Sequence, residues 1–418
     1  MNPKLKTMEM MNKILMSVLL LFFSGFLAAQ PLEQLLAQAD SNNLELKALY
    51  QDYLAALEKA PQVSQLPEPE AGLGVFALPV ETRLGPQWVR LSATQQFPWK
   101  GTLDARRDLM LVMAKAQFEK IAATRLNLHY KVKAAYYQLY ELAKKQLIIR
   151  RSIDVFRRME SIALANVEAG RSKLADVLRI QIRIKDLEEE LELLETQKQK
   201  PLAVINGLLN RNAGAPVVPV DTLTTIDPAY SLDSIQALIA AGHPVLRMFS
   251  LQQEASREAI KLNELEGKPS FAAGLDYIFV GERSDANPDG NGRDILSPRI
   301  GVRIPLYREK YDAKEQEERI KIHALELRKE DLQLQFRTAL EQAFANWDDA
   351  RIRFQLFEDQ KQTTLSVLDL LMAAYSAEGA SFIDLLQTED QYIKYDLMQL
   401  SAVVKMYQAQ AEIERYIP

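Results

Sequence analysis

The sequence predicts a mainly α protein with a small β part, built from one unit used twice. Two observations carry this. The order of signals repeats about half the chain length apart. Gln95-Gln96-Phe97-Pro98-Trp99-Lys100-Gly101 opens a run free of Gly and Pro from Thr102 to Ala169, and Arg303-Ile304-Pro305-Leu306-Tyr307-Arg308 opens another that lasts to Glu378. Gly170 and Gly379 punctuate the runs, and further helical stretches follow at Arg171–Lys200 and Ala380–Ile417. Repeated order of this kind marks a duplicated unit. The second observation is strand patterning just before each long run. The unit is therefore a helix, a strand hairpin and a very long helical hairpin. The expected organisation is a signal peptide over 1–29, a first repeat over 30–213, a linker over 214–230 and a second repeat over 231–418.

At the N-terminus, Lys4, Lys6 and Lys13 precede an apolar stretch from Ile14 to Leu27, and Ala28-Ala29-Gln30 follows. That pattern describes a secretory signal peptide cleaved near Ala29. The stretch is short of the roughly 20 apolar residues a membrane span needs. Pro31 to Ala60 reads as helical, with Leu32, Leu35, Leu36, Leu44, Leu46 and Leu49 forming an apolar stripe. Ser231 to Leu265 is its counterpart, with Leu232, Ile235, Leu238 and Ile239 at helical spacing. From Asn206 to Tyr230 a Pro-rich connector, including Pro216 and Pro219, joins the repeats.

Strands are expected at Gly72–Leu78 and from Val89 in the first half. In the second half they are expected at Phe271–Val280 and over Arg299–Leu306. Each pair is separated by a loop containing Pro and Gly. Val89, Leu91, Ala93 and Phe97 share one face, and Arg90, Ser92, Thr94 and Gln96 the other. Ile300, Val302, Ile304 and Leu306 alternate with Arg299, Gly301 and Arg303. Period-two alternation places a strand between two unlike environments. A small soluble sheet packed on helices has the same pattern.

The helices are the unusual feature. Thr102–Ala169 would span about 100 Å at 1.5 Å per residue. In the return arm Val177, Ile180, Ile184, Leu187, Leu191 and Leu194 step by three and four alternately. That heptad seam implies coiled-coil packing against a neighbour. Glu188, Glu189, Glu190, Lys185 and Lys198 fall on the remaining, solvated faces. The net charge of −5 is mild and the cations are interspersed with acids, which gives nucleic acid no footprint. With no cysteine, disulfides, thiolate metal sites and Cys nucleophiles are excluded.

Three matches identify a resemblance. The first is the internal duplication itself. The second is the corner Gln96-Phe97-Pro98-Trp99-Lys100-Gly101, echoed by Ile304-Pro305-Leu306-Tyr307. The third is Val167-Glu168-Ala169-Gly170 followed by Leu174-Ala175-Asp176-Val177-Leu178, which recurs as Tyr375-Ser376-Ala377-Glu378-Gly379 followed by Phe382-Ile383-Asp384-Leu385-Leu386. The chain resembles the TolC-like outer-membrane efflux family over essentially its whole mature length, and its corner is similar to that of the heavy-metal (CzcC/CusC-type) branch. The resemblance implies a homotrimer in which three sets of four strands close a twelve-stranded β-barrel in outer-membrane lipid, continued by a periplasmic α-barrel. It also implies a periplasmic adaptor and an inner-membrane pump of the RND type as partners. An open four-stranded sheet would leave unpaired edges in hydrocarbon, so closure demands more than one subunit. Arg90, Arg299 and Arg303 would then line water, and Ile300, Val302 and Ile304 would face lipid. Pro98, Trp99, Gly101 and Pro305 would form the strand-to-helix corners, where proline ends strand pairing.

By position in that family, Val167, Gly170 and Arg171, with Gly379, Ala380 and Ser381, are the expected adaptor-docking tips. Gly170 and Gly379 also read simply as helix C-caps. Asp176 and Asp384, with Arg179 and Gln387 one turn on, are the expected gate or lumen residues. A carboxylate ring near a three-fold axis would hold cations, whereas a first-turn aspartate is also what a helix dipole favours. The second tip is one residue shorter than the first. Asp285 to Gly292 imitates the start of a calcium loop but has Leu296 where the pattern needs glutamate, so an external hairpin loop is expected. His129, His243 and His323 lack ligand spacing, and neither a metal nor a cofactor is expected. Tyr136, Tyr137, Tyr140, Phe344 and Trp347 read as hairpin packing. No nucleophile–base pair or phosphate loop suggests an enzyme. The expected function is a passive exit duct of a tripartite efflux system for metal cations or small toxic compounds. A type I protein-secretion duct and a non-pore periplasmic scaffold are the alternatives.

Overall fold

The computed structural model describes residues 32–376 and 381–418. The expected signal peptide, Gly379 and Ala380 lie outside the described residues. The chain is mainly helical with one small sheet. Its elements are α1 (Leu32–Asn42), α2 (Leu44–Leu57), α3 (Lys59–Val63), β1 (Glu70–Thr82), β2 (Gly85–Phe97), α4 (Thr102–Glu168) and α5 (Leu174–Leu208). The second half gives α6 (Leu232–Gly242), α7 (Pro244–Glu266), β3 (Ser270–Val280), β4 (Ile295–Arg303), α8 (Glu309–Ser376) and α9 (Phe382–Glu414). The two halves thus match in order, apart from the short α3, which has no counterpart in the second.

Several boundaries differ from expectation, each for a local reason. The helices expected over Pro31–Ala60 and Ser231–Leu265 are both broken, at Asn43 and at His243. His243 precedes Pro244 and is extended (φ −60°, ψ 129°), because proline excludes the helical conformation from the residue before it. Asn43 spends its side chain elsewhere, donating Nδ2 to the Leu208 carbonyl at 2.9 Å. α5 does not stop at Lys200. It runs through Pro201, which is buried, and reaches Leu208.

The four strands make one antiparallel sheet in the order β1-β2-β3-β4, so the two hairpins join through β2 and β3. The first hairpin turns at Arg83-Leu84 rather than through the expected Pro/Gly loop. Pro79 instead lies where the β1–β2 register shifts, between Val75 and Val80, a bulge on an edge strand where no ladder hydrogen bond is lost. β4 ends at Arg303, so Ile304 and Leu306 lie beyond the strand and are not part of its apolar face.

The chain divides into two compact units, each drawing on both repeats. The unit of Leu44–Leu126, Ser231–Leu340 and Tyr416–Pro418 holds the sheet. The other takes in Asn127–Tyr230 and Glu341–Arg415 with the chain up to Asn43. In the latter, the heptad seam is the core as expected. Val177, Ile180, Ile184, Leu187 and Leu194 are buried with Ile149, Ile153, Phe156 and Met159 of α4 and with Phe382, Leu385 and Ile393 of α9. The Tyr136 and Tyr140 rings do pack in the hairpin, but their hydroxyls have a second task. They accept the backbone N–H of Val220 (3.0 Å) and Leu223 (2.9 Å), which pins the proline-rich linker to α4.

Candidate functional site: a two-faced sheet and the hairpin tips

Strand register sorts the sheet residues by face, because paired residues in an antiparallel sheet point the same way. One face carries Leu73, Leu91, Tyr277 and Leu296 in one row, and Ala273 with Ile300 and Phe271 with Val302 in others. These apolar side chains are uncovered, Leu73 being 68% exposed, Val75 71% and Ile300 87%. The opposite face carries Ser92, Thr94, Gln96, Arg90, Asp276, Arg299 and Arg303. On it Asp276 is the pivot: Arg90 Nη2 donates to its Oδ2 at 2.5 Å and Arg299 Nε at 2.8 Å, each from a diagonal position on a neighbouring strand. Asp276 is buried beneath them. Among the described residues no helix is long and apolar enough to cross a membrane.

The corner after β2 is tight. Pro98 follows the last strand residue, and Thr102 N donates to the Trp99 carbonyl at 3.0 Å. Gly101 adopts φ +90°, a left-handed conformation that a side chain would resist, and Ala105 N bonds back to its carbonyl. The Trp99 ring stacks on Phe271 with centroids 6.2 Å apart. The corner at Pro305 is built differently. Residues 304–308 are irregular, and Arg308 Nη1 holds the Gly267 carbonyl at 2.8 Å.

At the first tip, Gly170 (φ +73°) closes α4. Gly170 N donates to the Val167 carbonyl and Arg171 N to that of Asn166, at 2.9 and 2.8 Å. That pair of bonds is a Schellman cap. A Cβ on Gly170 would meet nothing within 4 Å. Val167 is half-buried against the tip core, while Arg171 is exposed. Ser172 and Tyr375 bring the two hairpins together, hydroxyl to hydroxyl at 3.3 Å, and the Tyr375 and Phe382 rings lie 5.7 Å apart. Asp176 lies in the first turn of α5 and is bridged by Arg179 Nη1 at 3.0 Å. Asp384 lies in the first turn of α9, whose N-cap Ser381 accepts the Ile383 N–H. Gln387 is exposed on the same helix.

The loop that imitates a calcium site spends its ligands internally. Arg283 takes Asp285 in a two-point bridge, at 2.7 and 2.9 Å, and Asn291 Nδ2 donates to Asn287 Oδ1. Among the described residues no group of three or more His, Asp or Glu is placed to hold a metal.

No family model matches the chain, and no curated protein matches it in sequence. Solved structures do. The outer-membrane channel OprN is similar over 92% of this chain and 89% of its own, with a TM-score of 0.72 and 16% identity. VceC, an outer membrane protein of Vibrio cholerae, gives 0.72 at 13% identity, covering 92% and 95%. CusC, whose structures concern folding and transmembrane channel formation, gives 0.73 at 12%, covering 94% and 93%. The chain has the TolC-like outer-membrane channel fold. CusC is no nearer than the other two, so the likeness does not single out the heavy-metal branch.

Within this TolC-like fold, sequence reasoning missed Asp276. The signal was there: it is the one acid in Phe271–Val280, and strand parity puts it on the face of Arg90 and Arg299. It also missed the Ser172–Tyr375 contact, which joins residues of different repeats and leaves no mark on spacing.

Proposed function

We propose that the chain is one subunit of an outer-membrane exit duct. Three copies close a twelve-stranded barrel in the membrane, and their helical hairpins continue the channel into the periplasm. A periplasmic adaptor seats on the tips at Val167–Arg171 and at Gly379–Ser381. An inner-membrane pump of the RND type drives transport, and the chain itself performs no chemistry. The cargo in this reading is small toxic compounds or metal cations; the corner at Pro98–Gly101 is what favours metals.

The observation that carries the proposal is the two-faced sheet with both edges open. From Phe271 to Phe279 the uncovered apolar face runs over nine residues, about 26 Å along the strand. A tilted membrane-barrel strand crosses the hydrocarbon in about 9–11 residues. β1 and β4 have partners on one side only, and a bilayer offers no other partner for their free backbone groups. A neighbouring copy supplies one. A scaffold without a pore has no use for exposed Leu73, Val75 and Ile300.

Membrane fractionation tests this. A chain extracted only by detergent, migrating as a heat-modifiable trimer, is the expected result. A freely soluble chain after lysis would sink the proposal.

A further inference from the structure

The whole chain is acidic, with a net charge of −5, but the polar face of its sheet is not. Arg90 and Arg299 share the single carboxylate of Asp276, whose side chain is 4% exposed while theirs are 38% and 47% exposed. One positive charge is left over and stands in solvent. At the helical end of the same face lies a cavity of about 560 Å³, walled in part by Gln96, Ser270 and Arg303 of the sheet. Its cations are Arg106, Lys268, Arg303 and Lys310; its acid is Glu266, which Arg106 already bridges at 2.6 Å. Thr102 and Lys310 bring the first turns of α4 and α8 to this cavity; the partial positive charge of those helix N-termini is offset by Asp104, Glu309 and Asp312 in the same turns. Glu70, on the same face at the edge strand, is a further counter-charge and accepts Gln96 Nε2 at 3.2 Å. Among the cavity-lining residues and the Arg90–Asp276–Arg299 cluster, six cations face two acids.

We propose that this surface attracts anions, so that, of the two cargo classes above and against the lean toward metals from the corner at Pro98–Gly101, the membrane end of the duct takes anionic small solutes rather than free metal cations. The inference rests on the duct reading, which places the polar face around the lumen. There it would appear once per subunit, and a concave, low-dielectric wall lined by one sign of charge concentrates counter-ions.

The test uses the full chain extracted in detergent. Binding of pyrophosphate is measured by calorimetry at low salt, with hexaamminecobalt(III) as the cationic control. Two variants accompany it. Lys268→Gln/Lys310→Gln removes charge from the cavity. Arg90→Gln/Asp276→Asn/Arg299→Gln neutralises the cluster without leaving a buried charge alone. Pyrophosphate is expected to bind the unaltered protein, with affinity lowered about tenfold in each variant and falling steeply with salt. Absence of pyrophosphate binding, or binding that neither variant weakens, overturns the inference. Stronger binding of the cobalt complex that the variants leave unchanged overturns it as well. Failure of the duct reading shows separately, as a soluble monomer in fractionation and sedimentation.

Discussion

Asp176 and Asp384 stand at the same place in their helices, each third after the residue that precedes the first turn, Lys173 in one case and Ser381 in the other. The one-residue difference between the tips therefore lies in the turns, and the aspartates are in register with each other along α5 and α9. Their neighbours differ. Arg179 reaches back to Asp176, whereas Gln387 occupies the corresponding position beyond Asp384. The first tip is neutralised within its own turn, and a ring of equivalent acids does not follow from the pair. Arg179 is half exposed, so Arg179→Gln is expected to cost less than about 0.5 kcal/mol in urea unfolding. A cost above about 1.5 kcal/mol would mean that the pair is buried in the assembled protein.

Gly170 offers a sharper test of the tip. Its φ of +73° closes the Schellman cap, and a methyl group placed there would have no neighbour within 4 Å. Gly170→Ala is therefore expected to cost about 1 kcal/mol, all of it conformational, with Gly170→Asn recovering part because Asn tolerates the left-handed region. Equal stability of the wild type and Gly170→Ala in urea would count against this cap.

Much of the fold is legible in the sequence because its strongest signals are periodic and local. The seam from Val177 to Leu194 is buried as its three-and-four spacing requires, and the alternation around Arg90 and Leu91 gives both faces of β2. Punctuation is harder to read. Pro244 breaks a helix whose apolar period continues across it, and Pro79 marks a bulge although proline is equally a loop signal. Of the candidate site, Gly170 and Asp176 are legible as cap and first turn. Partnership is not: Asp276 with two arginines, or Tyr136 with Val220, depends on which distant backbone returns to the same place.

That return of the linker is itself testable. Burial holds the Tyr136 and Tyr140 phenols neutral by raising them above their ordinary value, while the linker N–H groups they accept oppose the rise. Removing either hydroxyl leaves a backbone N–H without its acceptor. Tyr136→Phe and Tyr140→Phe are each expected to cost about 1 kcal/mol. The double variant should also expose residues 214–230 to limited proteolysis. Unchanged cleavage of the linker in the double variant would show that its proline content alone holds it in place.

Asp276→Ala probes the sheet. It leaves two guanidiniums facing each other without their shared carboxylate; both are more than a third exposed, so water compensates part of the loss and the cost is expected to be about 1 to 2 kcal/mol. The triple neutral variant Arg90→Gln/Asp276→Asn/Arg299→Gln is expected to lose less. If the single substitution proves the milder of the two in thermal dissociation of the assembled protein, the pivot role assigned to Asp276 is wrong.

His243 gives the fold a pH dependence whose sign can be worked out. Its ring is buried, lies 4.5 Å from that of Phe336, and accepts the Val245 N–H at Nδ1, capping α7. Burial pushes its pKa from 6.5 down to about 4, because the imidazolium would lose water. Protonation would also take away the acceptor on which the cap depends. Between these two values the unfolded chain binds more protons than the folded one, so stability falls as pH falls through that window and levels off below it. The loss between pH 7 and pH 4.5 is expected to be about 2 kcal/mol. His243→Asn keeps a capping side chain and should flatten this part of the profile, at a pH-independent cost of about 1 kcal/mol for the lost ring packing on Phe336. Urea unfolding of both proteins at the two pH values decides the matter, and parallel slopes would remove His243 as the cause.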